Sequence, residues 1–126
     1  MSKPMLWTGR IISALPALFL LVSGINLSLV QSPAVRESFA KFGYSPNVIA
    51  PLGILEAILA ILYMIPQTSM LGAILLTGYL GGATATHVRI NDPTWVVPVV
   101  VGVLLWLGLY LRDEKLRALV PLRRRD

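Results

Sequence analysis

One carboxylate, Glu56, stands in a stretch, 51–65, that is otherwise wholly apolar. Placing a charged carboxylate at the centre of a membrane costs on the order of 3 kcal/mol or more. Such a residue needs a partner, a proton or a role. Few other side chains in the apolar part of the chain could answer it: Asn26, Tyr79, His87 and Arg89. Together they offer an acid, a phenol, an imidazole, an amide and a cation. That set suits proton handling, with Glu56 and His87 as candidate catalytic groups. It also suits binding the polar end of a lipophilic molecule, with Asn26, Glu56, Tyr79, His87 and Arg89 as candidate ligand-binding groups. Each has a plainer reading. Glu56 can be hydrogen-bonded to Tyr79 or a backbone carbonyl to set helix register. Asn26 can bond a neighbouring helix, His87 can mark a helix end, and Arg89 can snorkel to the interface.

Composition narrows the chemistry. The 126 residues contain no cysteine and one histidine. Thiolate nucleophiles and Cys-ligated metals are excluded, and one chain cannot hold a haem between two histidines. No metal site and no intrinsic cofactor are expected. Apolar residues make up 56% and charged residues 13%, against about 25% charged in a typical soluble domain. Mean hydropathy is +0.73. Too little polar sequence remains to cover a soluble surface. The net charge of +5 gathers at the termini and has no interleaved aromatics, so nucleic acid is not an expected partner.

Four apolar segments organise the chain into one domain, with spans expected at 11–30, 46–65, 69–88 and 93–111 and a basic tail at 112–126. Each has about the 20 residues needed to cross ~30 Å of hydrocarbon. The first is read as a retained span, since it is long for a signal peptide and lacks a clear cleavage site. Ser45-Pro46 and Asp92-Pro93 are cap-then-Pro helix starts, and Thr68 or Ser69 can cap the third helix. Pro51 and Pro98 are expected to bend their helices. Between the first two spans, Ser32-Pro33 can start a short helix and Gly43 can stop it. Val35, Phe39 and Phe42 then share one face. This predicts an amphipathic helix at the outer surface, either a cap on the bundle or a lid over an entrance. The expected fold is an all-α integral membrane four-helix bundle with that short outer helix.

Eight of the eleven Lys and Arg residues, including Arg123, Arg124 and Arg125, fall on the side of the termini. Both termini are therefore expected in the cytoplasm, in a plasma or bacterial inner membrane. Trp7 and Tyr110 then mark the inner interface, and Tyr44 and Trp95 the outer one. Counting at 1.5 Å per residue places Glu56 ~15 Å and Asn26 ~6 Å below the outer surface. Tyr79 comes to about the depth of Glu56. His87 and Arg89 lie near the mouth. On the third helix Gly78, Gly81, Gly82 and Ala85 cluster as a close-packing face. Tyr79, Ala83, Thr86 and His87 form a separate polar stripe, expected to turn toward Glu56. The predicted result is a polar-lined cavity that opens outward.

The Gly53-Ile-Leu-Glu56 stretch and the run Gly78-Tyr-Leu-Gly-Gly-Ala-Thr-Ala-Thr-His87-Val-Arg89, within four short spans, resemble the DoxX-like family of membrane proteins. The resemblance covers nearly the whole chain and implies a four-helix membrane bundle. It carries Glu56, His87 and Arg89 over as site positions. It also implies two function classes, because members of the wider group belong to quinone-reducing thiosulfate-oxidising enzymes or membrane redox complexes, while some animal relatives assist assembly of other membrane proteins. One expectation is a quinone or isoprenoid-like lipid in the cavity, with any enzyme activity that of a quinone-linked oxidoreductase subunit needing a partner. The other is a non-catalytic assembly module, contacting a membrane-protein partner or a second copy through the glycine face or the outer amphipathic helix. A single carboxylate and no inverted repeat argue against a transporter. Membrane lipids are partners in either case.

Overall fold

The computed structural model describes residues 2–123, so the expectations for Arg124 and Arg125 lie outside the described residues. It is all-helical among those residues, a membrane-type bundle of four long helices. Helix α1 is Lys3–Ile25, continued by a wider π turn over Asn26–Val30. Helix α2 is Pro33–Phe42. Helices α3 (Ile49–Met64), α4 (Ser69–Arg89) and α5 (Val96–Arg112) are each preceded by a tight 3-10 turn that begins at a proline. A short α6, Glu114–Leu119, closes the chain.

Local chemistry sets these ends. The Ser32 side chain accepts from the Val35 N–H, and Gly43 takes the left-handed conformation that stops α2. Asp92 accepts from the Thr94 N–H at 2.9 Å and its hydroxyl at 2.7 Å. Those bonds hold the exposed Asp92 carboxyl below the usual carboxylate range. Pro51 and Pro98 fall in the first turn of α3 and α5 rather than a turn deeper, so neither removes a donor from a helix interior. The first helix begins at Lys3, a full two turns before the expected residue 11. The tail is not featureless either: Asp113 caps α6 through the Lys115 and Leu116 N–H groups, and Leu116 is buried.

Three segments are long and apolar enough to cross a membrane: Lys3–Val30, Pro46–Met64 and Pro93–Arg112. α4 has 21 residues, enough in length, but its glycines, threonines, His87 and Arg89 make it the least apolar of the four long helices. The helices run up and down in turn. α1 packs on α3 and α5, and α4 packs on the far sides of the same two.

In a bilayer, lipid tails are as apolar as leucine, so helices gain little from hydrophobic burial and rely on close packing and hydrogen bonds. Glycine supplies the packing, but not at the expected positions. A Cβ on Gly24 would stand 2.6 Å from the Gly53 carbonyl oxygen, and one on Gly53 would stand 2.6 Å from that of Gly24. Gly9 likewise meets the Gly108 backbone, and Gly72 meets Tyr63. By contrast, nothing lies within 4 Å of a Cβ on Gly78, Gly81 or Gly82. The expected close-packing face of α4 is therefore open.

Hydrogen bonds tie the end that carries the termini. The buried Tyr63 hydroxyl donates to the Leu105 carbonyl at 2.5 Å and lies 3.0 Å from Ser13 Oγ. Arg112 Nε donates to the same Ser13 oxygen at 3.0 Å, its guanidinium sits 5.1 Å from the centre of the Tyr63 ring, and Nη1 reaches Ser69 Oγ at 3.5 Å. Ser69 donates to the Tyr63 carbonyl at 2.7 Å. This knot joins all four long helices.

The glycine contacts make a sharp contrast testable by unfolding in micelles. Gly53→Ala should lower stability by about 1–3 kcal/mol, the usual cost of overpacking. Gly78→Ala and Gly81→Ala should leave it unchanged or raise it by up to ~1 kcal/mol. Equal effects at all three positions would refute the α1–α3 contact.

Candidate functional site

At the opposite end from the knot, the helices splay around a cavity of about 550 Å³. Its volume lies within the range of small-molecule sites. The Gly24–Gly53 contact sets its base: three residues beyond Gly53, one turn of α3 later, Glu56 turns inward and is only 4% exposed. Tyr79 on α4 donates its hydroxyl to Glu56 Oε2 at 3.1 Å. Ser23 on α1, beside Gly24, approaches the same carboxyl. The carboxyl is thus met by two hydroxyls from two neighbouring helices. A hydroxyl–carboxyl pair of this kind can both donate to and accept from the polar head of a ligand.

Above this floor the walls are mostly apolar, with Phe19, Leu52, Val97 and Val101 among them. Gly78 and Gly82 line the cavity beside Tyr79, Ala83, Thr86 and His87. Gly78 and Gly82, expected on a separate face, therefore share the side of α4 that carries the polar stripe, while Gly81 does not. Glycines at 78 and 82 lie within a quarter-turn or so of Tyr79 and Thr86, and they widen the cavity instead of packing a helix.

The mouth is covered by α2. Phe39 and Phe42, on its predicted apolar face, form part of the cavity wall. Tyr44, expected at the outer interface, lines the cavity too and shares a 2.9 Å hydrogen bond with Thr86. The His87 ring stacks obliquely on Phe42, with centroids 4.7 Å apart. Its Nδ1 donates to the Ala83 carbonyl at 2.6 Å, leaving Nε2 without a hydrogen-bonding partner among the described residues. Arg89 donates to the Phe42 carbonyl at the end of α2. A cation there completes the last turn of α2.

The structure thus brings Glu56, Tyr79 and His87 to one cavity. It does not bring Asn26 or Arg89. Asn26 is exposed, in the π turn that ends the first helix. Ser28 in that turn folds back onto the Gly24 carbonyl at 2.9 Å, and Ser23, in the regular helix before the turn, lines the cavity instead. Arg89 points at α2 and not at Glu56. Glu56 and His87 also stand apart: Tyr79 lies two turns from His87, ~12 Å along the helix. They are not a bonded acid–base pair. Ser23 was missed by sequence reasoning, although it lies at helical spacing from Leu20 and Leu27, both inward-facing.

The profile of the DoxX-like family matches residues 11–108. The chain belongs to the DoxX-like family. The match contains all four long helices in whole or large part, and with them every residue of the cavity. No curated protein and no solved structure matches the chain. In this DoxX-like protein the Gly-x-x-Glu of α3 has a physical reason: the glycine admits α1, and the carboxyl one turn later meets Ser23 and Tyr79. The His-x-Arg ending of the α4 run divides its labour, His87 on the cavity wall and Arg89 on the helix that covers it.

Because Arg89 bonds the end of α2, Arg89→Gln should loosen that helix. A hydrogen bond to a charged group is worth about 1.5 kcal/mol or more. Amide exchange across α2 should therefore rise about tenfold, with α3 and α5 unaffected. Unchanged exchange in α2 would show that Arg89 does not hold it.

Proposed function

We propose that this DoxX-like membrane protein binds a lipophilic small molecule with a polar head, of the quinone or isoprenoid-lipid type. The observation that carries the reading is the bond between the half-buried Tyr79 and the buried Glu56, at the floor of a mostly apolar cavity. An apolar body fills the walls, and the head meets a carboxyl and a phenol that can hold it from both hydrogen-bonding sides. Glu56 exchanges a proton with the head at the floor, and His87 with solvent at the mouth. A redox step on such a molecule takes its electrons from a partner subunit, since this chain has no cysteine and one histidine. We place the protein in the plasma or bacterial inner membrane as a four-span protein, with α4 as the fourth span. The basic termini then face the cytoplasm, and the cavity opens on the other side. α2 lies at that outer surface as a lid.

The test is mass spectrometry of the organic extract of protein purified in native-lipid particles. Wild type should carry a discrete quinone or terpenoid. Tyr79→Phe removes one hydrogen bond and should lower its occupancy about threefold to tenfold. Glu56→Gln should lower it further while the protein still folds. Only bulk lipid in all three would refute a ligand site. It would favour the alternative, a non-catalytic module that assembles a partner membrane protein through its exposed helix faces.

A further inference from the structure

A second hollow, of about 600 Å³, lies between α4 and α5 on the other side of α4 from the cavity. Its walls are almost wholly apolar. Gly81 leaves the α4 side open, with nothing within 4 Å of a Cβ built there, and Gly102 faces it from α5. Three of the four polar side chains along it are already engaged. The Trp106 indole N–H donates to Thr77 Oγ1 at 2.7 Å, Thr77 donates to the Ala73 carbonyl at 2.7 Å, and Thr84 donates to the Leu80 carbonyl at 2.8 Å. Apart from the Tyr110 hydroxyl at one end, the groove therefore offers shape and no hydrogen bonds, which suits a hydrocarbon chain. From Pro98 to Tyr110 it follows α5 for roughly 18 Å, more than the ~15 Å that one leaflet contributes to the hydrocarbon core.

Its other end is not apolar. Leu116 and Val120 close the groove from α6 and the segment beyond it. The same segment carries Lys115, Arg117 and Arg123. Arg117 Nη1 donates to the carbonyl of Tyr110, a groove residue, at 2.8 Å, so its cation stands at the groove's end. Asp113 is spent on capping α6. Lys115 is exposed. An apolar channel as long as a leaflet, ending at the Arg117 cation with exposed Lys115 and Glu114 on the same short helix, is complementary to one kind of occupant. We infer that this groove seats an acyl chain of an anionic phospholipid, drawn from the leaflet at the end that carries the termini. Its phosphate lies against Lys115 and Arg117, with Arg123 alongside. The site is separate from the cavity of Glu56 and stands whether or not that cavity holds a ligand.

Trp106 in the groove wall is a built-in reporter. The full chain, with Trp7→Phe and Trp95→Phe so that Trp106 is the only indole, is reconstituted in bilayers. Acyl-brominated phosphatidylglycerol or phosphatidylcholine is then titrated in as quencher. Half-maximal quenching should come at a mole fraction about fivefold or more lower for the glycerol lipid, the preference expected from one basic group beside an anionic headgroup. Lys115→Gln with Arg117→Gln should bring the two lipids together. Arg117→Lys keeps the charge and should keep the preference, which separates lost charge from disturbed packing. Equal quenching by both lipids in the parent protein would overturn the inference. So would a preference that survives the double substitution. Protection of Trp106 from both lipids, with a cross-linkable second copy over the groove, would replace the lipid by a dimer contact.

Discussion

The backbone contact between Gly24 and Gly53 is the constraint from which the site follows. Two helices approach this closely only where neither carries a Cβ. The contact fixes how far apart the first and third helices stand and how they are rotated. Ser23, beside one glycine, and Glu56, a turn from the other, are then forced to face each other. Tyr79 completes the group from α4. A carboxylate in an apolar span is costly by itself, and here it is met by hydroxyls from two directions. The stretch from Gly53 to Glu56 is therefore one physical unit: an approach and its consequence.

The two ends of the bundle solve the same problem in opposite ways. At the end of the termini, Ser13, Tyr63, Ser69 and Arg112 satisfy one another within one knot that joins four helices. Arg112 is balanced there by hydroxyl oxygens and the Tyr63 ring face. That end is closed. At the other end the polar groups are split between a floor, where Glu56 meets Tyr79, and a rim, where Tyr44 meets Thr86 and Arg89 meets Phe42. The space between is left to apolar walls and glycines. One small bundle thus has a tight end and an open end. The covering helix α2 has no buried residue of its own. Its seat depends on a few side-chain bonds, which are easier to open than packed helix faces.

Much of this was legible in the chain. The apolar run lengths and the helix-start prolines determined the last three long helices within a few residues, because hydrocarbon thickness and backbone hydrogen bonding leave few alternatives, while the first begins two turns early at Lys3. Ser32-Pro33, Gly43 and the Val35, Phe39, Phe42 spacing determined α2 for the same local reason. Glu56 announced itself by its charge, and helix geometry brought Tyr79 to its depth. What the sequence could not decide was which glycines touch a neighbour. Gly78, Gly81 and Gly82 have the pattern of a packing face, yet they border open space, while Gly24 and Gly53, isolated in their segments, make the contact. Spacing along one helix says which residues share a face, but not what lies opposite that face. For the same reason Asn26 and Arg89 were expected at the cavity and stand elsewhere. Asn26 falls in a π turn that leaves it exposed, and the end of α2 offers Arg89 a carbonyl that no local pattern shows. The elements were determined by local physics. Their facing, and so the site, was decided by tertiary packing.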